Sequence, residues 1–187
     1  MVIVFGGSFN PPTRAHQEIV KKLLNTFLDS TILLLPVGND YKKPELIDFK
    51  HRYEMLKLLT KDLDQVIVSD LESKKAYNGT LESLNELSKT YQDIHFVIGS
   101  DNLKQFDTWI NYKTLLKSYP FIVMMRKTGL TKEEAEQLFE DIDHNFTYVS
   151  FSMNIESSNI RKSLRNYHKD LTKDVYEYIQ KNHLYGA

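Results

Sequence analysis

The segment Gly6-Gly7-Ser8-Phe9-Asn10-Pro11-Pro12-Thr13-Arg14-Ala15-His16 carries the residue types of a phosphate site. Two glycines directly behind the apolar run Val2 to Phe5 let the backbone approach a ligand closely and turn its N–H groups toward an anion. Ser8 and Thr13 add hydroxyl donors, and a helix opening near Arg14 would present its positive end to the same place. His16 stands three residues after Thr13, so a first helical turn puts both side chains on one face beside the glycines. The glycines alone fit a strand-to-helix bend equally well, since neither G-x-x-x-x-G-K-S/T nor G-x-G-x-x-G is present. The coincidence of two glycines, a helix start and a Thr-x-x-His pair favours the phosphate cradle.

Three further segments carry chemistry. Gly99-Ser100-Asp101-Asn102-Leu103 follows the run Ile94 to Ile98: Gly99 would permit close approach of adenosine, and Asp101 could accept hydrogen bonds from ribose hydroxyls or cap a helix. In Ile155-Glu156-Ser157-Ser158-Asn159-Ile160-Arg161, Ser157 or Ser158 can cap a helix while neighbouring N–H groups face an anion, with Arg161 reaching it one turn later. An ordinary helix start fits that segment too. Lys42 and Lys43, behind the run Ile32 to Val37, can offset phosphate charge or stand as a solvated pair.

Together these segments resemble the HIGH-type nucleotidyltransferases, whose first signature is Gly-Gly-Ser/Thr-Phe-Asp-Pro-x-His/Thr-x-Gly-His. Asn10, Thr13 and Ala15 stand here where Asp, His and Gly are usual in the nicotinate branch. Gly99 to Leu103 is similar to the family's Gly-Ala/Ser-Asp-Asn/Ser-Leu, and Ile155 to Arg161 to its Ile-Ser-Ser-Thr-x-Ile-Arg, from which Glu156 and Ser158 depart. Lys43 lies near the place of a Pro-His-Lys segment, with Tyr41 instead of the His. Arg52 and Met55 match an Arg-x-x-Met helix, and Val175, Tyr178-Ile179 and Leu184-Tyr185 match the closing helix and tail. Trp109 falls where the nicotinate-nucleotide adenylyltransferases stack an indole on the pyridine ring. Ala76-Tyr77-Asn78-Gly79-Thr80-Leu81 corresponds to their Ser-Tyr-Thr-x-x-Thr-Leu, one residue shorter.

Within that superfamily the resemblance is to the bacterial nicotinate-nucleotide adenylyltransferases, and it implies ATP and nicotinate mononucleotide as partners. By resemblance His16, Thr13 and Arg161 are catalytic. Gly6, Gly7, Ser8, Phe9, Gly99, Asp101, Asn102, Ile155, Ser157 and Ser158 are placed on ATP, and Lys43, Tyr77, Thr80 and Trp109 on the acceptor. Mg²⁺ is expected on the ATP phosphates, with no protein metal site. Asn10 and the short acceptor loop leave alternatives open: nicotinamide mononucleotide or phosphopantetheine as acceptor, or a nucleotide-binding module weakened in catalysis.

The elements that must position these residues are legible as well. Runs rich in β-branched residues at Val2 to Phe5, Ile32 to Val37, Val66 to Val68, Ile94 to Ile98 and Phe121 to Met125 are continuous rather than alternating, as in strands buried on both faces. Between them Ile19, Leu23, Leu24 and Phe27, then Tyr53, Met55, Leu56 and Leu59, then Leu81, Leu84 and Leu87 make helical stripes. An amphipathic stretch from Thr131 to Ile142, a last strand from Phe146 to Phe151, and helices near Ser158 to Arg165 and Leu171 to Lys181 follow. The alternation predicts an α/β fold: a Rossmann-like, doubly wound parallel sheet with helices on both faces and a C-terminal helical segment. Ligands of such sheets bind beyond the carboxyl ends of the strands, which is where the motifs lie.

Composition is that of a globular protein. The 187 residues are 41% apolar and 26% charged, and one domain spanning 1–187 is expected. Lys and Arg number 24 against 25 for Asp and Glu, so binding to nucleic acid through bulk charge is not expected. The sequence has no cysteine, which excludes disulfides, thiolate nucleophiles and Cys-ligated metals. With no apolar run of ~18 residues, no membrane partner is expected, and a cytoplasmic location fits. Oligomeric state is not legible in the sequence.

Overall fold

The computed structural model describes residues 1–153 and 155–187. In chain order the regular elements are β1 (Val2–Gly7), α1 (Arg14–Thr26), β2 (Thr31–Pro36), α2 (Phe49–Leu59), β3 (Val66–Val68), α3 (Thr80–Leu87), β4 (Ile94–Gly99) and α4 (Tyr112–Ser118). They continue with β5 (Phe121–Met125), α5 (Lys132–Leu138), β6 (Phe146–Ser150), α6 (Ser157–Lys162), α7 (Leu164–Tyr167) and α8 (Lys173–Lys181). 3₁₀ turns cover Leu71–Ser73, Asn102–Thr108, which is kinked at Gln105, and His168–Asp170. The strands make one six-stranded sheet of order β3-β2-β1-β4-β5-β6. That order, reversing between β1 and β4, is the doubly wound arrangement the alternating pattern predicts.

The chain resolves into two compact units. One comprises Met1–Gly6 and Tyr77–Met153. Its strands pair in parallel, with Val4 opposite Phe96, Ile98 opposite Val123, and Val123 opposite Tyr148. Ile3, Val4, Phe121, Ile122 and Val123 are fully buried, and Leu84, Leu115 and Phe106 join them from α3, α4 and the Asn102–Thr108 turn. At about 25 cal/mol per Å², such apolar burial is the main driving force for folding. Capping also follows local rules: the Thr131 N–H donates to Glu134 Oε2 at 2.8 Å and the Glu134 N–H to Thr131 Oγ1 at 3.2 Å, closing a capping box at the start of α5.

The other unit comprises Gly7–Ala76 and the described residues from 155 onward. Here β2 pairs in parallel with β3, Leu33 opposite Ile67. Ile19 and Leu23 of α1, Met55 and Leu56 of α2, Ile160 of α6 and Val175 and Ile179 of α8 are buried with Ile32 to Leu35 of β2. Asp48 caps α2, its carboxylate accepting from the Lys50 N–H at 2.8 Å.

Three expectations need adjusting. The run Val66 to Val68 is not buried on both faces: Ile67 in β3 is 41% exposed, at the edge of the sheet. The stretch Thr131 to Ile142 is helical only over Lys132–Leu138. The helix expected near Ser158 to Arg165 is two short ones, separated at Ser163, whose φ of −159° and ψ of 88° are not helical.

Candidate active site

The loop behind β1 is held in a definite shape by the unit that contains Gly7. Phe9 takes a left-handed φ of 45°, which an aromatic residue adopts only when its surroundings enforce it. Its ring is buried at 1% exposure and lies where Gly7 has no side chain, since a Cβ there would stand 3.2 Å from Phe9 Cζ. One glycine of the pair therefore serves the packing of Phe9. The Asn10–Pro11 peptide bond is cis.

Thr13 ends the loop as the N-cap of α1, fully buried. Its N–H donates to His16 Nδ1 at 2.9 Å, and its Oγ1 lies 2.9 Å from the same nitrogen. A backbone amide can only donate, so Nδ1 carries the lone pair and the proton of the neutral imidazole sits on Nε2. Phe9 meets the imidazole edge-on, with ring centroids 5.1 Å apart.

Cationic side chains converge on this loop. Lys43 Nζ donates to Ser8 Oγ at 3.1 Å, and burial followed by the nearby Arg161 charge pushes its ammonium below the ordinary lysine range. Arg52, fully buried in α2, donates through Nη1 to the Ser8 carbonyl at 3.1 Å and through Nε to the Ile47 carbonyl at 2.9 Å. Arg161 of α6 donates through Nη1 to the Asn10 carbonyl at 2.8 Å and through Nε to Glu45 Oε2 at 3.3 Å. The Ser157 hydroxyl donates to the Pro11 carbonyl at 2.8 Å, and the Ser158 hydroxyl to Glu156 Oε2 at 3.1 Å. Neither serine side chain caps α6: the helix starts at Ser157 itself, Glu156 is its N-cap, and both hydroxyls are engaged elsewhere. Ile155 precedes this turn.

The unit containing Tyr77 holds the other motifs. The Gly99-Ser100-Asp101 turn is tied to the loop after β5: the Arg126 N–H donates to Ser100 Oγ at 3.0 Å, and the Leu130 N–H to the Ser100 carbonyl at 3.1 Å. Asp101 does not cap the turn that begins at Asn102; its Oδ2 pairs with Arg126 Nη1 at 3.4 Å. A side chain at Gly99 would collide with Asp101 Oδ1, so this glycine makes room for the carboxylate. That Oδ1 is buried and has no hydrogen-bond partner among the described residues.

Trp109 follows the Asn102–Thr108 turn, its ring 4.9 Å from that of Phe106 and 6.2 Å from that of Phe96. Its neighbour Ile110 packs on Gly79, whose φ of 105° only glycine adopts readily and where a Cβ would come within 2.9 Å of Ile110 Cβ. Tyr77 OH and Thr80 Oγ1 stand 3.5 Å apart across that glycine. The fold thus brings the Tyr77–Thr80 loop onto the Trp109 segment. Among the described residues no three His, Asp or Glu side chains come together as a metal site, and no helix is long and apolar enough to cross a membrane.

The cytidylyltransferase-like family model matches residues 4–163. Proteins of Acholeplasma laidlawii and Clostridium acetobutylicum, each named a probable nicotinate-nucleotide adenylyltransferase, are 42% and 33% identical to this chain, over 99% and 97% of it and 97% of each relative. The chain belongs to the nicotinate-nucleotide adenylyltransferase family. The fold agrees with a solved structure, Plasmodium falciparum nicotinic acid mononucleotide adenylyltransferase complexed with NaAD, at a TM-score of 0.80 and 24% identity over 98% of this chain and 96% of that one.

Within this adenylyltransferase scaffold, Ser8, Thr13, His16, Lys43, Ser157 and Arg161 gather around one loop, and Gly99, Asp101, Tyr77, Thr80 and Trp109 lie in the unit with β4. Two contributors have no sequence signal of their own, and a third has one that does not show its contact. Glu45 and Arg126 are lone charges in loops, identifiable only through Arg161 and Asp101. Tyr185 matched the family tail, but its contact with Asn10, 175 residues away in sequence, exists only in the fold.

Proposed function

We propose that the chain transfers the adenylyl group of ATP to nicotinate mononucleotide, giving nicotinate adenine dinucleotide and pyrophosphate in the cytoplasm. The observation that carries this reading is the Thr13–His16 contact, which leaves Nε2 as an N–H donor at a loop where Lys43 and Arg161 also converge. The acceptor's 5′-phosphate oxygen attacks the α-phosphorus in line, the bond to the bridging oxygen breaks, and pyrophosphate leaves with that electron pair. No protein nucleophile takes part, so catalysis is positioning and charge stabilisation. His16 Nε2 donates to the phosphates, and Thr13 with the Gly6, Gly7, Ser8 and Phe9 backbone and the N–H groups near Ile155, Ser157 and Ser158 holds them. Arg161 neutralises the leaving pyrophosphate.

Gly99, Asp101 and Asn102 take the adenosine, with Asp101 Oδ1 accepting from ribose; its buried, unpartnered state suits that role. Trp109 stacks on the pyridine ring, Tyr77 and Thr80 bound the acceptor, and Lys43 balances its phosphate. Mg²⁺, when bound, would screen the triphosphate charge and would be held mainly by the nucleotide's own oxygens. The test is pyrophosphate release from ATP with a panel of acceptors. Release with nicotinate mononucleotide supports the reading; release only with nicotinamide mononucleotide or phosphopantetheine reassigns the acceptor; release with none points to a nucleotide-binding module.

A further inference from the structure

Asn10 is 1% exposed, yet every polar group of its side chain and its carbonyl is engaged by a different segment. Its Nδ2 donates to the Glu45 carbonyl at 2.8 Å, its Oδ1 accepts from Tyr185 OH at 2.7 Å, and its backbone carbonyl accepts from Arg161 Nη1 at 2.8 Å. Only a carboxamide satisfies the first two contacts together, because a carboxylate has no proton for the Glu45 carbonyl. Glu45 and Tyr185 both sit in the left-handed region, at φ of 61° and 55°, a strain that persists only where surrounding contacts enforce it. Both strained residues grip the same buried side chain.

We propose that Tyr185 is a positioning residue for adenylyl transfer, acting through Asn10. Its hydroxyl fixes the Asn10 side-chain amide with Nδ2 on the Glu45 carbonyl, and so holds the residue whose backbone carbonyl accepts from Arg161. One side chain thereby sets the register of the Lys43 segment, the Arg161 helix and the loop leading to Thr13 and His16. The hydrogen bond of Tyr185 goes to Asn10, which is itself assigned to neither ATP nor acceptor, so its effect passes through the segments that Asn10 holds. This role rests on the adenylyl transfer proposed above.

The experiment is a kinetic series on the full chain: Tyr185→Phe, which keeps the ring and removes the hydroxyl, Asn10→Ala, and the double variant. Turnover is measured against ATP and nicotinate mononucleotide separately, and ATP binding is measured by calorimetry without acceptor. Tyr185→Phe is expected to raise KM for ATP and weaken ATP binding about three- to tenfold, the scale of one hydrogen bond. In the Asn10→Ala background the same change is expected to add nothing, since the acceptor of the hydroxyl is gone.

A merely structural role would lower kcat with both KM values unchanged, and that result overturns the proposal. So does a Tyr185→Phe penalty of equal size in both backgrounds. Should Tyr185→Phe fail to fold, Asn10→Ala carries the same readout, and unchanged ATP binding in it overturns the proposal. If the unaltered chain releases no pyrophosphate with any acceptor, the functional reading falls. ATP affinity then still decides on Tyr185, an undiminished value in Tyr185→Phe overturning its role.

Discussion

The Thr13 amide donates to His16 Nδ1 at 2.9 Å across the first turn of α1, so the residue that caps the helix also sets the tautomer of the imidazole. Removing the ring therefore does two separable things. His16→Ala is expected to lower kcat by about two to three orders of magnitude, the scale of losing one preorganised donor to a developing charge. It also strips a hydrogen-bond acceptor from Thr13, at about 1 kcal/mol, or a few degrees in melting temperature. His16→Gln restores a side-chain oxygen three residues after the cap, as in a capping box, and is expected to recover the melting temperature without recovering turnover. Parallel melting curves and pyrophosphate-release rates check this; a glutamine variant with near-normal turnover would sink the donor role.

Arg161 divides its guanidinium between the Asn10 carbonyl and Glu45, and a lysine cannot make both contacts in a fixed plane. Arg161→Lys is expected to cost about tenfold or more in kcat/KM for ATP despite the conserved charge. Glu45 holds its carboxylate against the cation proposed to receive pyrophosphate, so Glu45→Gln is expected to strengthen product inhibition by pyrophosphate. Its side chain is 72% exposed, which confines the change to about two- to fivefold. Inhibition constants for pyrophosphate in the two proteins decide the matter.

Much of this site was legible because its parts are local. A Thr and a His three apart at a helix start meet, and continuous apolar runs alternating with helical stripes make a doubly wound parallel sheet, so the Thr13–His16 contact and the sheet type were legible from spacing. What was not legible is non-local or conformational. No spacing rule joins Tyr185 to Asn10 or Arg126 to Asp101. A glycine in such a loop fits a ligand's approach or a bend, and what the sequence does not show is the neighbour packed against it, Phe9 at Gly7 and Asp101 at Gly99, because a missing side chain looks the same whoever occupies the space. The serines of the Ser157 segment were read as caps; a helix start displaced by one residue turned their hydroxyls to Pro11 and Glu156.

Gly129 backs the Ser100–Asp101 turn, proposed above to take the adenosine, without belonging to any motif. A Cβ there would meet Ser100 Oγ and stand 2.6 Å from Ser100 C and 2.7 Å from Asp101 N, all part of a turn that cannot retreat because Ser100 is fully buried. Gly129→Ala is expected to destabilise the fold by about 1–3 kcal/mol, the usual cost of overpacking, and to weaken ATP binding by displacing Asp101. Denaturant midpoints and calorimetric ATP titrations would show both. A variant with wild-type stability would mean the loop moves aside freely.

Tyr185 also gives the protein a defined alkaline response. Burial chiefly holds its phenol above the ordinary tyrosine range, against the opposing pull of Arg52 and Arg161. With the folded value raised, the unfolded chain releases this proton near pH 10 while the native state keeps it. The unfolded state then binds fewer protons, and stability falls as pH rises. The contribution is complete below pH ~10 and fades above it, by up to about 1.4 kcal/mol per pH unit for one group. Tyr148 and Tyr178 are also raised mainly by burial and add to the slope. Tyr185→Phe is therefore expected to be less stable than wild type at pH 8 and to lose stability more slowly between pH 10 and about 11.5, its curve shallower by close to one proton. Urea midpoints of the two proteins across that range provide the check, and parallel curves would show that the phenol of Tyr185 ionises in the native state as readily as in the unfolded one.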